Sequence, residues 1–381
     1  MSPPERRVPI LVLGGSGVFG GLACRRLARD PALRLLIAGR SRDKAEAVAA
    51  AIRAEFPQAE AAAFPLDRTR DLGPRLAESG AVILLHTAGP FQGQDYAVAE
   101  TAIAQGRHYL DLADGREFVA GFDRLDPAAR RAGVLAVTGA SSVPGLSAAA
   151  VERLARGLDR VETIAIGITP GNRAPRGRAL IEAMLGSSGQ AFRWRRHGAW
   201  QRLHGWQDLT RRRVPGLGPR WFSACDVPDL EILPARYPAA RSVTFHAGLE
   251  LSVLHLGLWA LTWPVRWGWV ASLAPLTGAL AWVARRLEPF GGDRGAMFVE
   301  LTGHDEAGRK RRARWTLIAR SGHGPCVPVT PAVLLAGRLA RGQIDRRGAT
   351  PCLDFFTLEE AAAALADLEI DFNLEEDLCA S

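Results

Sequence analysis

The sequence predicts an α/β chain: an N-terminal Rossmann-like, doubly wound parallel sheet, followed by a second α+β domain with a hydrophobic helical insertion. Three observations predict it. Apolar strand-like runs alternate with helix-spaced segments from residue 8 to about 156. The first strand-to-helix junction is crowded with glycine, from Gly14 to Gly20. Beyond the alternation lies a Trp-rich half with a long apolar stretch at about 249–285. With 381 residues, 48% of them hydrophobic and 23% charged, the chain has enough apolar material for two cores. The expected boundaries are 1–150 for the parallel-sheet domain, 151–325 for a substrate and dimerisation domain, and 326–381 for C-terminal helices packing back on the first.

Val8 to Leu13 reads as a buried parallel strand, and Gly17 to Arg29 repeats apolar residues at helical spacing, with Val18, Leu22 and Leu27 on one face. Between them Gly15, Gly17 and Gly20 satisfy G-x-G-x-x-G. Such a turn needs glycine to bend sharply, to let a pyrophosphate approach the backbone, and to pack the helix on its strand while its N–H groups aim at phosphate oxygens. The expected dinucleotide cradle is Gly14, Gly15, Ser16, Gly17, Val18, Phe19 and Gly20.

Leu33 to Ala38 reads as the second strand and runs into Gly39-Arg40-Ser41-Arg42, where an NAD site carries a carboxylate about 20 residues after the glycines. No carboxylate stands there. Arg40, with Ser41 and with Arg42 or Lys44 beside it, offers donors and positive charge instead, which suits the 2′-phosphate of NADP(H). NADP(H) is therefore the expected cofactor. A helix at about 43–54 and a strand at 59–64 lead to Asp67, which either accepts a bond from the adenine amine or caps a helix.

After a helix near 71–78, Ala81 to Thr87 is a continuous apolar strand ending in Ala88-Gly89-Pro90-Phe91-Gln92-Gly93. That rigid turn falls at the carboxyl edge of the sheet, where ligands of this architecture bind, so Ala88, Gly89 and Pro90 join the expected cofactor contacts. A helix at about 94–105, the strand His108–Leu112, a helix at 116–131, the strand Val134–Thr138 and the turn Gly139–Gly145 complete the domain. Hydride transfer is the cofactor's chemistry; the protein must orient the nicotinamide and supply a proton donor or oxyanion stabiliser. Among His86, Tyr96, His108, Tyr109, Asp111 and Asp114 near that edge, Asp111 and Asp114 are the leading catalytic pair, with Tyr109 on the same side of its strand as Asp111. Loop hydrogen bonding and helix capping are the competing roles for the two carboxylates, and His86 reads as a core histidine. A Tyr-x-x-x-Lys pair is absent.

The set Gly-Gly-Ser-Gly-Val-Phe-Gly20, Ala-Gly-Arg40, Thr-Ala-Gly-Pro-Phe91, Gly106-Arg-His-Tyr-Leu-Asp-Leu112 and Val-Pro-Gly145 resembles the saccharopine dehydrogenase family, in particular its saccharopine dehydrogenase-like oxidoreductase branch. The resemblance covers the first 150 residues well and the rest loosely. It implies a Rossmann domain paired with a second α/β domain, C-terminal segments returning to the first, and hydride transfer with NADP(H) or NAD(H). The family includes amino-acid reductases acting on C–N bonds and a lipid-associated branch of trans-acting enoyl reductases. This chain has Gly139-Ala-Ser141-Ser142 where the amino-acid reductases carry a carboxylate before the second domain.

In the second half, Val161 to Ile168 reads as a strand, followed by the turn-rich basic loop Thr169–Gly177, which is either an anion-holding loop or a plain connection. Trp194, Trp200, Trp206 and Trp221 fall among arginines and His197, suiting either stacking contacts or a core with polar rims. From Leu249 to Val283 two apolar halves flank Arg266, with Pro264 and Pro275 interrupting helical hydrogen bonding, so neither half is a bilayer crossing. The stretch is read as a peripheral membrane or acyl-chain contact, a homodimer interface, or a buried helical layer. Ala296–Thr302 and Arg314–Ala319 bracket a hairpin turn, Pro328 to Arg341 is a helix with Pro331 near its start, and Thr357 caps another. The acidic end from Asp367 to Asp377 reads as a solvated terminus.

The net charge is +8, yet the basic residues are nearly all arginine, Lys44 and Lys310 being the lysines, and no nucleic-acid-binding motif accompanies the clusters at 193–196, 211–213 and 309–312. Nucleic acid is not an expected partner. Cys24, Cys225, Cys326, Cys352 and Cys379 lie far apart with no metal or redox spacing, so no metal site is expected. The N-terminal apolar run is consumed by the first strand rather than forming a secretion signal, which points to a cytoplasmic chain, with or without peripheral membrane association. The expectation is an NADP(H)-dependent oxidoreductase, working as a homodimer, on a hydrophobic or lipid-linked, enoyl-type substrate. The alternatives are an amino-acid or imine substrate, or a non-catalytic NADPH-binding protein.

Overall fold

The computed structural model describes residues 7–378; the chain start on which the secretion reading bears, and Cys379, lie outside them. The chain divides into two compact units, the first up to Leu146 plus Cys326–Phe356, the second Ser147–Pro325 plus the residues from Thr357 on.

In the first unit the chain alternates β1 (Val8–Leu13), α1 (Val18–Leu27), β2 (Leu33–Gly39), α2 (Arg42–Glu55), β3 (Glu60–Pro65), α3 (Leu72–Ser79), β4 (Ile83–His86), α4 (Ala97–Ala104), β5 (His108–Asp111), α5 (Arg116–Ala120), α6 (Asp126–Arg131) and β6 (Leu135–Thr138). Ile10, Leu11, Val12, Ile37, Leu84, Leu85, Leu110 and Val137 have essentially no exposed surface, which explains why these strands read as unbroken apolar runs: helices cover both faces of the sheet. The expected single helix at 116–131 is instead α5, a 3₁₀ turn at Phe122–Leu125 and α6, because Pro127 can occupy a helix start but not a helix interior.

The sheet has seven strands, all parallel, and its seventh comes from far along the chain: Gly348–Pro351 pairs with β6. Its order runs from that strand through β6, β5, β4, β1 and β2 to β3. The order reverses between β1 and β4, so the turns after these two strands flank the crevice where such sheets take ligands. The returning helix Thr330–Ala340 packs against α1, β4 and β5.

The sequence reading gave all of 326–381 to helices returning to the first domain. The structure divides this segment: Cys326–Phe356 completes the first unit, and the chain beyond Phe356 joins the second. There Thr357 and Glu360 form a reciprocal capping box on a short helix, after which Ile370–Leu378 is a strand whose acidic residues are exposed, so the end is solvated but not irregular.

The second unit contains α7 (Ser147–Ala155), β7 (Arg160–Thr169), α8 (Arg178–Ser187), β8 (Ala191–Arg196), β9 (Ala199–His204), β10 (Thr210–Val214), β11 (Gly218–Ala224), α9 (Asp229–Arg236), β12 (Ser242–Ala247), α10 (Ser252–Arg266), α11 (Thr277–Arg286), β13 (Gly295–His304) and β14 (Lys310–Ala319). Its nine-stranded sheet is mixed, with β7 parallel to β12 and antiparallel to β13. The strand Ile370–Leu378 pairs with β14 in a register that sets Asp377 opposite Arg312 and Glu375 opposite Arg314. Cross-strand charge complementarity of this kind accounts for strand formation by so acidic a segment.

Members of each basic cluster pair with carboxylates inside the second unit. Arg212, Arg312 and Arg314 lie within 3.7 Å of Glu300, Arg196 is 3.3 Å from Asp208, and Arg309 is 2.9 Å from Asp305. The loop after β7 is likewise bonded internally: Glu250 accepts from the Asn172 and Gly292 N–H groups and pairs with buried Arg220, while Arg173 and Arg176 donate to carbonyls at Pro289 and Gly171. This favours the plain connection over an anion-holding loop. Trp194 and Trp206 are buried as core, whereas Trp200 is exposed. Among the described residues no helix is long and apolar enough to cross a membrane.

Candidate functional site

The glycine turn after β1 is held from below by β4. Both the N–H and the Oγ1 of Thr87 donate to the Leu13 carbonyl at 2.8 Å, clamping the two strand ends across the crevice. Gly14 adopts φ +83°, a conformation that side-chain-bearing residues rarely adopt, and a Cβ there would lie 2.9 Å from the Ala88 nitrogen. At Gly20 a Cβ would overlap the Gly14 carbonyl oxygen and sit 2.7 Å from Thr87 Oγ1. The glycines therefore serve two purposes: they close the turn on β4 and bring the start of α1 against it.

What this leaves open is an anion site. Gly17 precedes α1 in extended conformation, no side chain caps the helix, and no carboxylate occupies its first turn. The first-turn N–H groups and the positive end of the helix dipole thus remain available for a phosphate. Arg40 directly follows β2, is exposed, and has no hydrogen-bond or ion-pair partner among the described residues. Ser41 is committed differently from expectation: its Oγ caps α2 by accepting from the Lys44 N–H at 3.4 Å. Its hydroxyl proton is still free to be donated.

Asp67 neither caps a helix nor stands unengaged. Its Oδ1 accepts from the N–H and Oγ1 of Thr69 at 3.0 and 2.8 Å, and these bonds hold its carboxyl below the usual range, with smaller help from the Arg70 and Arg40 charges. The cap of α3 is Asp71. Asp67 therefore braces the turn after β3, beside the Arg40 charge.

The turn after β4 is organised by residues that sequence reasoning missed. Gln94 donates to the Ala88 and Pro90 carbonyls and accepts from Arg68 Nη1 at 2.9 Å, so one amide side chain fixes the Ala88–Pro90 backbone. Gln92 donates to Asp114 Oδ1 at 3.1 Å, joining this turn to the one after β5. The signal was local: Thr87, Gln92 and Gln94 flank the glycine and proline that were singled out.

Of the three expected catalytic residues, two have no exposed surface. Asp111 takes the Gly139 N–H at 2.7 Å, the Ala113 N–H at 2.9 Å and Thr138 Oγ1 at 3.0 Å, all on Oδ1. Its Oδ2 has no hydrogen-bond partner, and burial pushes the carboxyl up to about 6 despite those donors. Tyr109 is equally buried; burial, then the Asp111 carboxylate, raises its hydroxyl well above the usual value. His86, 3.1 Å from the Tyr109 hydroxyl, is driven by burial to about 3 and is neutral, with Nε2 unpartnered. Burial keeps Asp111 and Tyr109 from the surface in this geometry; Asp111 braces the turns after β5 and β6, and Tyr109 meets His86 of β4. Asp114 is half-buried and raised by burial, with the Gln92 bond opposing the shift, and it alone of the three reaches the surface of the edge.

A family model described as the saccharopine dehydrogenase NADP-binding domain matches residues 10–137, which contain the glycine turn, Arg40 and the β4 and β5 turns. No curated protein matches the sequence at a significant level. Among solved structures, apo saccharopine dehydrogenase (L-Glu forming) from Saccharomyces cerevisiae is similar to the chain with a TM-score of 0.67 at 13% identity, covering 97% of this chain and 100% of that one. An amine dehydrogenase from Mycobacterium smegmatis gives a TM-score of 0.48 at 11% identity, covering 92% of this chain and 96% of that one. At such identities the yeast likeness establishes a shared fold.

Proposed function

We propose that the chain is an NADP(H)-dependent oxidoreductase in which Arg40 and the glycine turn select NADP(H) while the β4 and β5 turns carry the reacting groups, a reading supported by the match of residues 10–137 to the saccharopine dehydrogenase NADP-binding domain. When bound, the cofactor supplies or accepts the hydride. The N–H groups of Val18, Phe19 and Gly20 hold the pyrophosphate, the Gly17 N–H being used on the Gly14 carbonyl at 2.8 Å, and Arg40, with the Ser41 hydroxyl, holds the 2′-phosphate. The single observation carrying this reading is the unpartnered Arg40 guanidinium at the end of β2, in the position where an NAD-type site needs a carboxylate.

Ala88, Gly89 and Pro90 border the nicotinamide side of the crevice, their backbone fixed by Gln94. Asp114 moves or holds the proton that accompanies hydride transfer: burial favours its protonated form, and the Gln92 amide orients it. Asp111 acts as a positioning residue that keeps the Asp114 turn and the Gly139 turn together.

The substrate is hydrophobic or lipid-linked, an enoyl group being the acceptor. Supporting this are the exposed aromatic side chains of the second unit and the absence of a carboxylate from Gly139-Ala-Ser141-Ser142. Turnover of NADPH against enoyl thioesters and against imines tests it. Reduction of enoyl substrates is expected, and reduction of imines alone would transfer the chain to C–N chemistry.

A further inference from the structure

We propose that the outward faces of α10 and α11, with the turn between them, dock the protein on an anionic lipid bilayer. The segment is not a buried helical layer. Trp269 is 75% exposed, Phe290 75%, Trp267 54% and Trp282 53%, and Val253, Val270, Leu276 and Val283 are exposed with them. No comparable concentration of large exposed apolar side chains occurs elsewhere among the described residues. The inner faces explain why the outer ones are open: Leu258, Val265 and Leu273 form one buried cluster with Leu261 and Leu280 against it, so both helices have already satisfied their core contacts. A soluble protein keeps so large an apolar patch only where something covers it.

Three features identify a bilayer surface as the cover. The first is the aromatic row: Trp259, Trp263, Trp267 and Trp269 touch in sequence, with ring centroids 5.8, 5.5 and 4.8 Å apart, running from α10 into the turn that follows. Tryptophan is the side chain favoured at the depth of lipid headgroups. The second is charge. Between Leu251 and Leu287 the sequence has no Asp or Glu, and its charged residues are Arg266, Arg285 and Arg286. Arg286 lies over Trp282 at 5.0 Å, at the rim of an apolar ring where it can meet a lipid phosphate or carboxylate; Arg266 lies over Trp263 at 4.9 Å with one guanidinium nitrogen donating to Gln207 Oε1 at 2.6 Å and the rest of its exposed side chain open to a headgroup. The third is length: α10 has 15 residues and α11 has 10, which suits helices lying in the interface and not across it. A second copy of the chain is the poorer occupant. A two-fold contact would face one patch carrying three arginines with another of the same charge, neither offering a carboxylate between Leu251 and Leu287.

The proposal does not rest on the hydride-transfer reading, because vesicle binding is read without turnover. The full chain is floated with vesicles of phosphatidylcholine alone and with vesicles that also contain phosphatidylserine, at low and at raised salt. Flotation with the anionic vesicles, weakening with salt and accompanied by a blue shift of tryptophan emission, is expected. Trp269→Glu with Trp282→Glu should lower that binding about tenfold or more, and Arg285→Glu with Arg286→Glu should lower it about tenfold on anionic vesicles. NADPH affinity and the circular dichroism spectrum serve as folding controls and should be unchanged. Absence of flotation by a protein that still binds NADPH would overturn the proposal. So would equal binding to neutral and anionic vesicles, or a wild-type dimer that Trp269→Glu splits into monomers.

Discussion

Two adjacent glycines of α1 should respond to the same substitution with opposite signs. At Gly20 an alanine Cβ overlaps the Gly14 carbonyl oxygen and comes within 2.7 Å of Thr87 Oγ1. Neither neighbour can retreat cheaply, because Gly14 is fixed at φ +83° and Thr87 is bonded twice to Leu13. Overpacking costs about 1–3 kcal/mol in general and, for a Cβ set on a fixed oxygen, about 2–3 kcal/mol, against a helix-propensity gain of about 1 kcal/mol, which leaves a net loss of about 1–2 kcal/mol. At Gly21 the nearest atom to a new Cβ is the Gly15 oxygen at 3.7 Å, an ordinary contact, so only the propensity gain remains. Thermal melting of the full chain should therefore move down by about 2–8 °C for Gly20→Ala and up by about 2–4 °C for Gly21→Ala, at roughly 2–4 °C per kcal/mol for a unit of this size. Gly20→Ala should also lose NADPH affinity, since α1 must leave the turn to make room. A Gly20→Ala protein as stable as wild type, or a Gly21→Ala protein equally damaged, would refute the packing argument.

Other residues give sharper readings of role. Asp111→Ala strands the buried N–H groups of Ala113 and Gly139 and should cost about 2–5 kcal/mol in a denaturant titration; a loss under about 0.5 kcal/mol would show that the turns do not depend on it. Asp114→Asn should lower kcat about a hundredfold while the Kd for NADPH stays within about twofold, and an unchanged kcat removes Asp114 from the chemistry. In the second unit, Ser147 donates to Asp229, whose buried carboxyl is pushed up to about 7 from an ordinary 3.8. The native state then holds a proton that the unfolded chain has lost, so this group makes stability fall as pH rises from about 4 to about 7. Asp229→Asn lacks that term, and its stability relative to wild type should rise between pH 5 and pH 8; parallel stability curves for the two proteins would contradict the assignment.

The parts of the molecule that could be read from sequence are those whose cause is local. β1, β2, β4 and β6 announced themselves as apolar runs because both sheet faces are covered, and the cradle did so because only glycine fits beside Thr87 and Ala88. Gly348–Pro351 carries no comparable signal: it becomes a strand because β6 offers an edge and Asp126 accepts the Ala349 N–H at 2.9 Å, contacts made across more than two hundred residues. Ile370–Leu378 misled for a related reason: its acidic residues are solvated as they look, and the segment becomes a strand because β14 sets arginines opposite them. At the site, spacing located the right edge of the sheet but not the depth of each side chain. Asp111 and Asp114 differ in burial although three residues apart, because one ends a central strand and the other stands in the turn beyond it.

The central claim, that a free cation after β2 reads a 2′-phosphate, is tested most directly by titrating wild type and Arg40→Ala with NADPH and with NADH, following cofactor fluorescence. Wild type should bind NADPH the more tightly, and the substitution should weaken NADPH by about 10- to 150-fold, the value of a charge-assisted hydrogen bond of about 1.5–3 kcal/mol, while NADH changes by less than about twofold. Tighter binding of NADH by the wild type, or equal losses for the two cofactors in Arg40→Ala, would contradict it.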